Sequence, residues 1–214
     1  MPAKNKDLHG NVPESCEVAL LLIDVINDME YPGGDLIVQH AVPMARRLRD
    51  LAGRAREVGV PVVYVNDNFG RWQSDFRKVY EHCAAEGVRG CEVCRMLEPH
   101  DDDYFVLKPK HSGFYSTTLD TLLDYLGAKT LVLTGMAGNS CVLFTASDAF
   151  MRDFHVVVPP DCTASQTAAA NDNALDQMRE VLKAELIPSA EIDFAELQRR
   201  AREIDAGEEA AAQS

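Results

Sequence analysis

Long hydrophobic runs are absent from this chain of 214 residues. The longest, Val18 to Ile23, is far too short to cross a bilayer, so no membrane partner is expected. The stretch from Met1 to Pro13 is polar and carries no apolar signal-peptide core. Positive charge is scarce as well: 21 Lys and Arg stand against 34 Asp and Glu, for a formal net charge of −13. A phosphate backbone needs a basic surface, so nucleic acid is excluded as a partner. A strongly anionic substrate would need local basic residues to overcome the same field. Tryptophan occurs once, at Trp72, and no internal repeat is visible. These absences leave a cytoplasmic protein as the expectation. Cysteine is not scarce: Cys16, Cys83, Cys91, Cys94, Cys141 and Cys162 are present, and in a reducing compartment they are expected as free thiols, reactive or metal-bound in individual cases.

What is there suits one large α/β domain. The chain is 46% hydrophobic and 26% charged, enough for a sizeable core. Short apolar runs alternate with helical patterns. Strands are expected at 17–24, 61–66, 104–108, 130–134 and 155–159, with a short sixth at 184–187. Helices are expected at 41–58, 116–126, 141–152, 168–183 and 194–204. Continuous apolar strands separated by helices predict a three-layer, six-stranded parallel sheet with helices on both faces, a Rossmann-like arrangement. The domain spans 15–204, between a flexible N-terminus (1–14) and a flexible C-terminal tail (205–214). The segment from Asp67 to Asp103 is the least regular and is expected to wall or cap the site.

Ligands of open parallel sheets bind beyond the carboxyl ends of the strands. The first strand ends at Asp24, the third at Lys108, and the fourth runs through Gly135 and Gly138 into Cys141. With Asn139 or Ser140 as N-cap, Cys141 falls in a first helical turn, where free N–H groups and the helix dipole favour an anion and lower a thiol pKa. Each residue alone has a plainer reading. An Asp can cap a turn, a Lys is usually solvated, and a Cys in a helix is usually a small core residue. Their arrival at one sheet edge is harder to explain that way.

Three segments carry a resemblance to a known family. LLIDVINDM followed by Gly33-Gly34 is close to a DxQNDF…GG pattern. VLKPKHSGFYSTTLDTLL is close to K-x-R-x-S-A-F…T-x-L. TLVLTGMAGNSCVLFTASDAFMRDFHVVVPPDCTAS is close to TGVxTxxCVxxTxxDAxxRGY…DA. Over residues 15 to 190 the chain thus resembles the isochorismatase-like cysteine hydrolases, which include nicotinamidases, N-carbamoylsarcosine amidases and ureide or biuret-type amidohydrolases. The resemblance implies a catalytic triad of Asp24, Lys108 and Cys141 and a cis peptide at Met136–Ala137. It also implies an oxyanion hole from the backbone N–H groups of Ala137 and Cys141, and assembly into dimers or tetramers. The implied chemistry is hydrolysis of a C–N bond in a small amide, ureide or carbamoyl compound through a thioester on Cys141. In it Asp24 acts as acid and base, also activating the water, and Lys108 is the electrostatic partner.

Ile26 and Met29 replace the family's Gln and Phe, so the pocket departs from the commonest pattern. Asn68, Phe69, Trp72 and Tyr115 are expected as substrate-binding walls, although Trp72 reads equally as a packed cap residue. Nicotinamidases bind a metal after the second strand, but Asp67 here has no histidine beside it, so no metal and no cofactor are expected. Cys91-x-x-Cys94, with Cys83 and His82 or His100 nearby, is a weak signal for a zinc site or redox pair. Three other functions remain open: an isochorismatase-type ether hydrolase, a non-catalytic binding protein on the same fold, and a thiol oxidoreductase.

Overall fold

A computed structural model describes the backbone of residues 15–70 and 75–212, with side chains described to residue 203. The expectations for 1–14 and for Trp72 fall outside the described residues. Six parallel strands form the sheet: β1 (Val18–Ile23), β2 (Val62–Asp67), β3 (Tyr104–Lys108), β4 (Thr130–Met136), β5 (His155–Val157) and β6 (Thr163–Ala164). Their order is β3-β2-β1-β4-β5, and β6 pairs with β4 alongside its last two residues. Among the described residues lie seven α-helices: α1 (Gly34–Glu57), α2 (Phe76–Cys83), α3 (Cys91–Met96), α4 (Leu119–Leu126), α5 (Leu143–Phe150), α6 (Ala168–Val181) and α7 (Phe194–Ala212).

Every residue of β1 and β4 is buried, as expected of central parallel strands covered on both faces. Alternation divides them between two cores. Val18, Leu20 and Leu22 pack with α1, α3 and α7, whereas Ala19, Leu21 and Ile23 pack with α4, α5 and α6. Ile37, Ala41, Met44, Ala45, Leu48 and Leu51 of α1 are buried at three- and four-residue spacings, the stripe of an amphipathic helix lying on a sheet. Gly135 lets β4 run close beside β1. Its φ is +107°, and a Cβ there would come 2.1 Å from the Ile23 carbonyl oxygen.

Four expectations need correction. Helix α1 starts at Gly34 rather than residue 41, because Ile37 extends the buried stripe back by one turn. Residues 184–187 do not form the sixth strand. Glu185 makes a single parallel bridge to Val157, and Pro188 and a short 3₁₀ turn at Ser189–Glu191 end the pairing; β6 is Thr163–Ala164 instead. Helix α7 continues to Ala212 rather than ending at 204, in keeping with its run of good helix formers, Glu and Ala. The irregular segment 67–103 contains two short helices, α2 and α3, and it walls the loop after β1: His82 Nε2 lies 3.0 Å from Asp28, and the Gly90 N–H donates to the Asp28 carbonyl at 3.0 Å. Among the described residues no helix is long and apolar enough to cross a membrane.

Leu133→Ala, in a fully buried strand position, should cost about 2–5 kcal/mol in urea unfolding. Val181→Ala, at an exposed position on α6, should stay within about 0.5 kcal/mol of the parent in the same measurement.

Candidate active site

The exits of β1, β3 and β4 converge. Asp24 follows β1 with a φ of +50°, an unusual backbone for a residue with a side chain. Its carboxylate accepts a hydrogen bond from the Asp67 N–H at 2.7 Å and meets Lys108 Nζ at 2.7 Å. Lys108, the last residue of β3, is fully buried, and its ammonium also donates to the Lys110 carbonyl at 3.1 Å and to Cys141 Sγ at 3.5 Å. The Cys141 thiol in turn hydrogen bonds to Asp24. The structure therefore brings Asp24, Lys108 and Cys141 into one bonded cluster.

The loop carrying Cys141 differs from the expected helix start. Residues Gly138–Val142 form a wide π-helical turn that precedes α5, closed by the Val142 N–H donating to the Ala137 carbonyl at 3.2 Å. Neither Asn139 nor Ser140 caps it. Instead the Asn139 N–H donates to Ser165 Oγ at 3.1 Å, and Ser165 donates to Asn171 Oδ1 at 3.1 Å, which braces the turn from outside. The Met136–Ala137 peptide is cis.

The electrostatics follow from burial. Desolvation raises the Asp24 carboxyl above its ordinary value, and the charge of Lys108 with the hydrogen bonds from Cys141, Lys108 and Asp67 only partly pulls it back. Desolvation also works against the Lys108 cation, but the charges of Asp24 and Cys141 outweigh it and hold the ammonium above its ordinary value. The Cys141 thiol is pushed up to about 12, first by burial and then by the Asp24 charge, with Lys108 opposing. This corrects the expected low thiol pKa, because the gain from the turn is smaller than the cost of a second buried anion beside Asp24. A thiol raised in this way keeps its proton on sulfur, with Asp24 and Lys108 facing it from the buried side.

The expected pocket walls are less directly involved. Asn68 is buried and tied into its own loop: its side chain accepts from the Gly70 N–H at 2.8 Å, and its N–H donates to the Lys108 carbonyl at 3.0 Å. Phe69 and Tyr115 are exposed, and among the described residues neither forms a hydrogen bond or ring contact with Asp24, Lys108 or Cys141. His111 reaches the cluster, and Tyr31 stands within range of its charges. His111 Nδ1 lies 3.7 Å from Cys141 Sγ. The Tyr31 hydroxyl is raised above its ordinary value, first by burial and then by the charges of Asp24, Cys141 and Asp28. His111 had one sequence signal, its place three residues beyond Lys108 in the same exit loop. Tyr31 had only its position in the loop after Asp24.

The residues after β2 do not fit a metal. The Asp67 carboxylate accepts from the Phe69 N–H at 2.6 Å, the segment 71–74 contains no His, Cys, Asp or Glu, and no three such side chains group together among the described residues. Cys94 pairs with Cys83 by a thiol–thiol hydrogen bond rather than with Cys91, and it also donates to the Asn27 carbonyl at 3.5 Å. All six cysteines are free thiols.

Residues 18–191 match the family model described as the Isochorismatase domain. The chain is 40% identical over 174 residues to an uncharacterized isochorismatase family protein, YaaI, of Bacillus subtilis, covering 81% of this chain and 95% of that protein. It is 30% identical over 169 residues to the ureidoacrylate amidohydrolase RutB of Methylobacterium radiotolerans, covering 67% of this chain and 66% of RutB. Among solved structures it is similar to N-carbamoylsarcosine amidase from Thermoplasma acidophilum, with a TM-score of 0.67 and 32% identity over 83% of this chain and 99% of that one. The nicotinamidase SaPncA from Staphylococcus aureus, at 20% identity and a TM-score of 0.60 over 80% of this chain and 97% of that one, shares the fold.

A thiol held up to about 12 is reactive only through its small thiolate fraction. Iodoacetamide labelling of Cys141, read by peptide mass spectrometry, should therefore accelerate about tenfold per pH unit between roughly pH 7 and pH 9 without levelling off. A plateau already reached near pH 8 would mean an ordinary or lowered thiol pKa.

Proposed function

The chain belongs to the isochorismatase family of hydrolases, and on that premise we propose that it cleaves a C–N bond in a small amide, ureide or carbamoyl compound through a thioester on Cys141. The observation that carries this reading is the contact of one thiol with both a buried carboxylate and a buried ammonium. Such a set can move a proton off sulfur without creating a second uncompensated anion. The amidase names among the similar proteins at 30% identity or above, ureidoacrylate amidohydrolase and N-carbamoylsarcosine amidase, support the substrate class.

The chemistry begins with the thiol rather than a resting thiolate. As Sγ approaches the substrate carbonyl carbon, the S–H proton passes to Asp24, whose raised pKa suits it to hold that proton. The C–S bond forms, and the carbonyl electrons move to oxygen. The backbone N–H groups of Ala137 and Cys141 receive that oxyanion. Lys108 stays charged beside the reacting atoms throughout and lowers the cost of the negative charge shared between Asp24 and sulfur. Collapse breaks the C–N bond, Asp24 returns its proton to the leaving nitrogen, and water then hydrolyses the thioester. No step in this sequence uses a metal or an organic cofactor.

The covalent route distinguishes this reading from an ether hydrolase of the same family, which has no need of a thiol 3.5 Å from Lys108. It also distinguishes it from a binding protein, in which a buried ammonium–carboxylate pair beneath a thiol has no task. The reading includes a cytoplasmic location and assembly into a dimer or tetramer, for which exposed Phe144, Phe150 and Met151 along and just after α5 supply apolar surface.

An ammonia-release screen over small amides, ureides, carbamoyl compounds and nicotinamide should find turnover with at least one ureide or carbamoyl compound. Cys141→Ala should abolish it, by at least about 10³-fold, while leaving the thermal melt of the protein unchanged. Substantial activity in the Ala variant would overturn the covalent mechanism.

A further inference from the structure

The buried side of Cys141 is fully committed, and the solvent side is not. Asp24 and Lys108 approach the sulfur from the interior, with side chains 8% and 0% exposed. The Asp24 carboxylate already accepts from the Asp67 N–H at 2.7 Å and from Lys108 at 2.7 Å, and neither bond involves the sulfur. His111 approaches the same sulfur from the exposed side, with Nδ1 at 3.7 Å. Its ring lies 5.6 Å from that of Phe144 on α5 and is tilted 36° to it.

This placement is built by the loop between Lys108 and α4. The residue before His111 is held by Lys108, whose ammonium donates to the Lys110 carbonyl at 3.1 Å. The residue after it, Ser112, is buried and donates to the Asp148 carboxylate on α5. Next, the Gly113 N–H donates to Thr145 Oγ1 at 3.0 Å, and that same hydroxyl donates to the Cys141 carbonyl at 2.7 Å. The backbone bearing the imidazole and the backbone bearing the nucleophile are therefore joined through one side chain. Position 113 must be glycine for this approach, because a Cβ would stand 2.8 Å from Val65 Cγ1 and 3.1 Å from Leu119 Cδ2. An exposed histidine anchored on both sides to the active-site elements is more than a solvated surface residue needs.

We infer that His111 is a catalytic residue for the second half of the reaction, the base that takes a proton from the water attacking the Cys141 thioester. The inference rests on the reading of Cys141 as acyl acceptor and assigns the deacylation base, a role the sequence analysis placed on Asp24. Water enters from the side His111 occupies, and a neutral imidazole nitrogen accepts its proton as the water oxygen bonds to the thioester carbon. The tetrahedral species then breaks its C–S bond. The electron pair leaves on Cys141 sulfur, and the proton held by the imidazole passes across the His111–Cys141 contact to restore the thiol. Thioester and water become carboxylic or carbamic acid and thiol, with His111 and Asp24 regenerated. Lys108 opposes charge build-up on the departing sulfur in this half as in the first.

The test separates acylation from deacylation with p-nitrophenyl acetate as probe. Acetylation of Cys141 appears as a burst of p-nitrophenolate, and hydrolysis of the acetyl thioester sets the steady rate. The wild-type protein should give a burst that Cys141→Ala lacks. His111→Ala and His111→Gln should keep the burst, accumulate acetyl on Cys141 by mass spectrometry, and lose about 100-fold in steady rate. Added imidazole should restore part of the steady rate to His111→Ala, where it can occupy the vacated space, and not to His111→Gln. A purely structural role for His111 gives no imidazole rescue. Steady rates within about threefold of wild type in both His111 variants, with the Cys141-dependent burst intact, overturn this inference alone. Loss of the burst in both variants, with unchanged thermal melts, moves His111 to the acylation step and also overturns it. A burst that persists in Cys141→Ala removes the acyl-acceptor reading of Cys141 itself.

Discussion

The 2.7 Å ion pair between Lys108 and Asp24 is the interaction on which the rest of the site depends. Both groups are withdrawn from water at the carboxyl edge of the sheet, and removing one partner of such a pair typically costs about 3–5 kcal/mol, because the other charge is left buried alone. The pair is tolerable because the backbone completes it: the Asp67 N–H saturates the carboxylate, and the Lys110 carbonyl takes another ammonium proton. Strands β1, β2 and β3, with the loop after β3, thus meet at one pair of charges. Cys141 arrives on the turn after β4 as the fourth component.

In the proposed mechanism that pair also decides what kind of nucleophile Cys141 is. A thiol at a free helix start is usually activated by lowering its pKa. Here burial and the Asp24 charge push the thiol up to about 12. On the proposed mechanism the site holds one negative charge on the carboxylate, and as the carbon–sulfur bond forms Asp24 takes the thiol proton and the charge appears on the carbonyl oxygen. Such a thiol is expected to alkylate slowly at neutral pH, yet it has its proposed base in hydrogen-bonding contact. Lys108 stays beside Asp24 and the sulfur throughout, so the proton transfer needs little reorganisation around it.

The architecture was largely legible in the sequence because parallel strands buried on both faces read as unbroken apolar runs, and their ends mark the ligand edge. Asp24, Lys108 and Cys141 could be selected that way, since each stands at or just beyond a strand exit. Properties that depend on contacts between distant segments could not. His111 is brought to Cys141 by Ser112 bonding Asp148 and Gly113 bonding Thr145, pairings no local pattern announces. The thiol pKa was misread because it depends on how deeply the turn is buried, not only on its place before a helix. Asn68 was expected as a pocket wall, and the bond its side chain accepts from the Gly70 N–H was not visible in that expectation. The two-residue β6 was too short to show a period, and the apolar residues at 184–187 were a plausible decoy.

Covalent catalysis requires that carbon be bonded to Cys141 during turnover. Acid-quenching the protein within the first turnovers of a cleaved ureide or amide, then mapping the intact chain by mass spectrometry, tests this directly. The expected result is the acyl fragment of the substrate attached to the peptide containing Cys141 and to no other cysteine peptide, decaying as product appears. Product formation with Cys141 unmodified at every time point, down to the shortest quench resolving a single turnover, would contradict it.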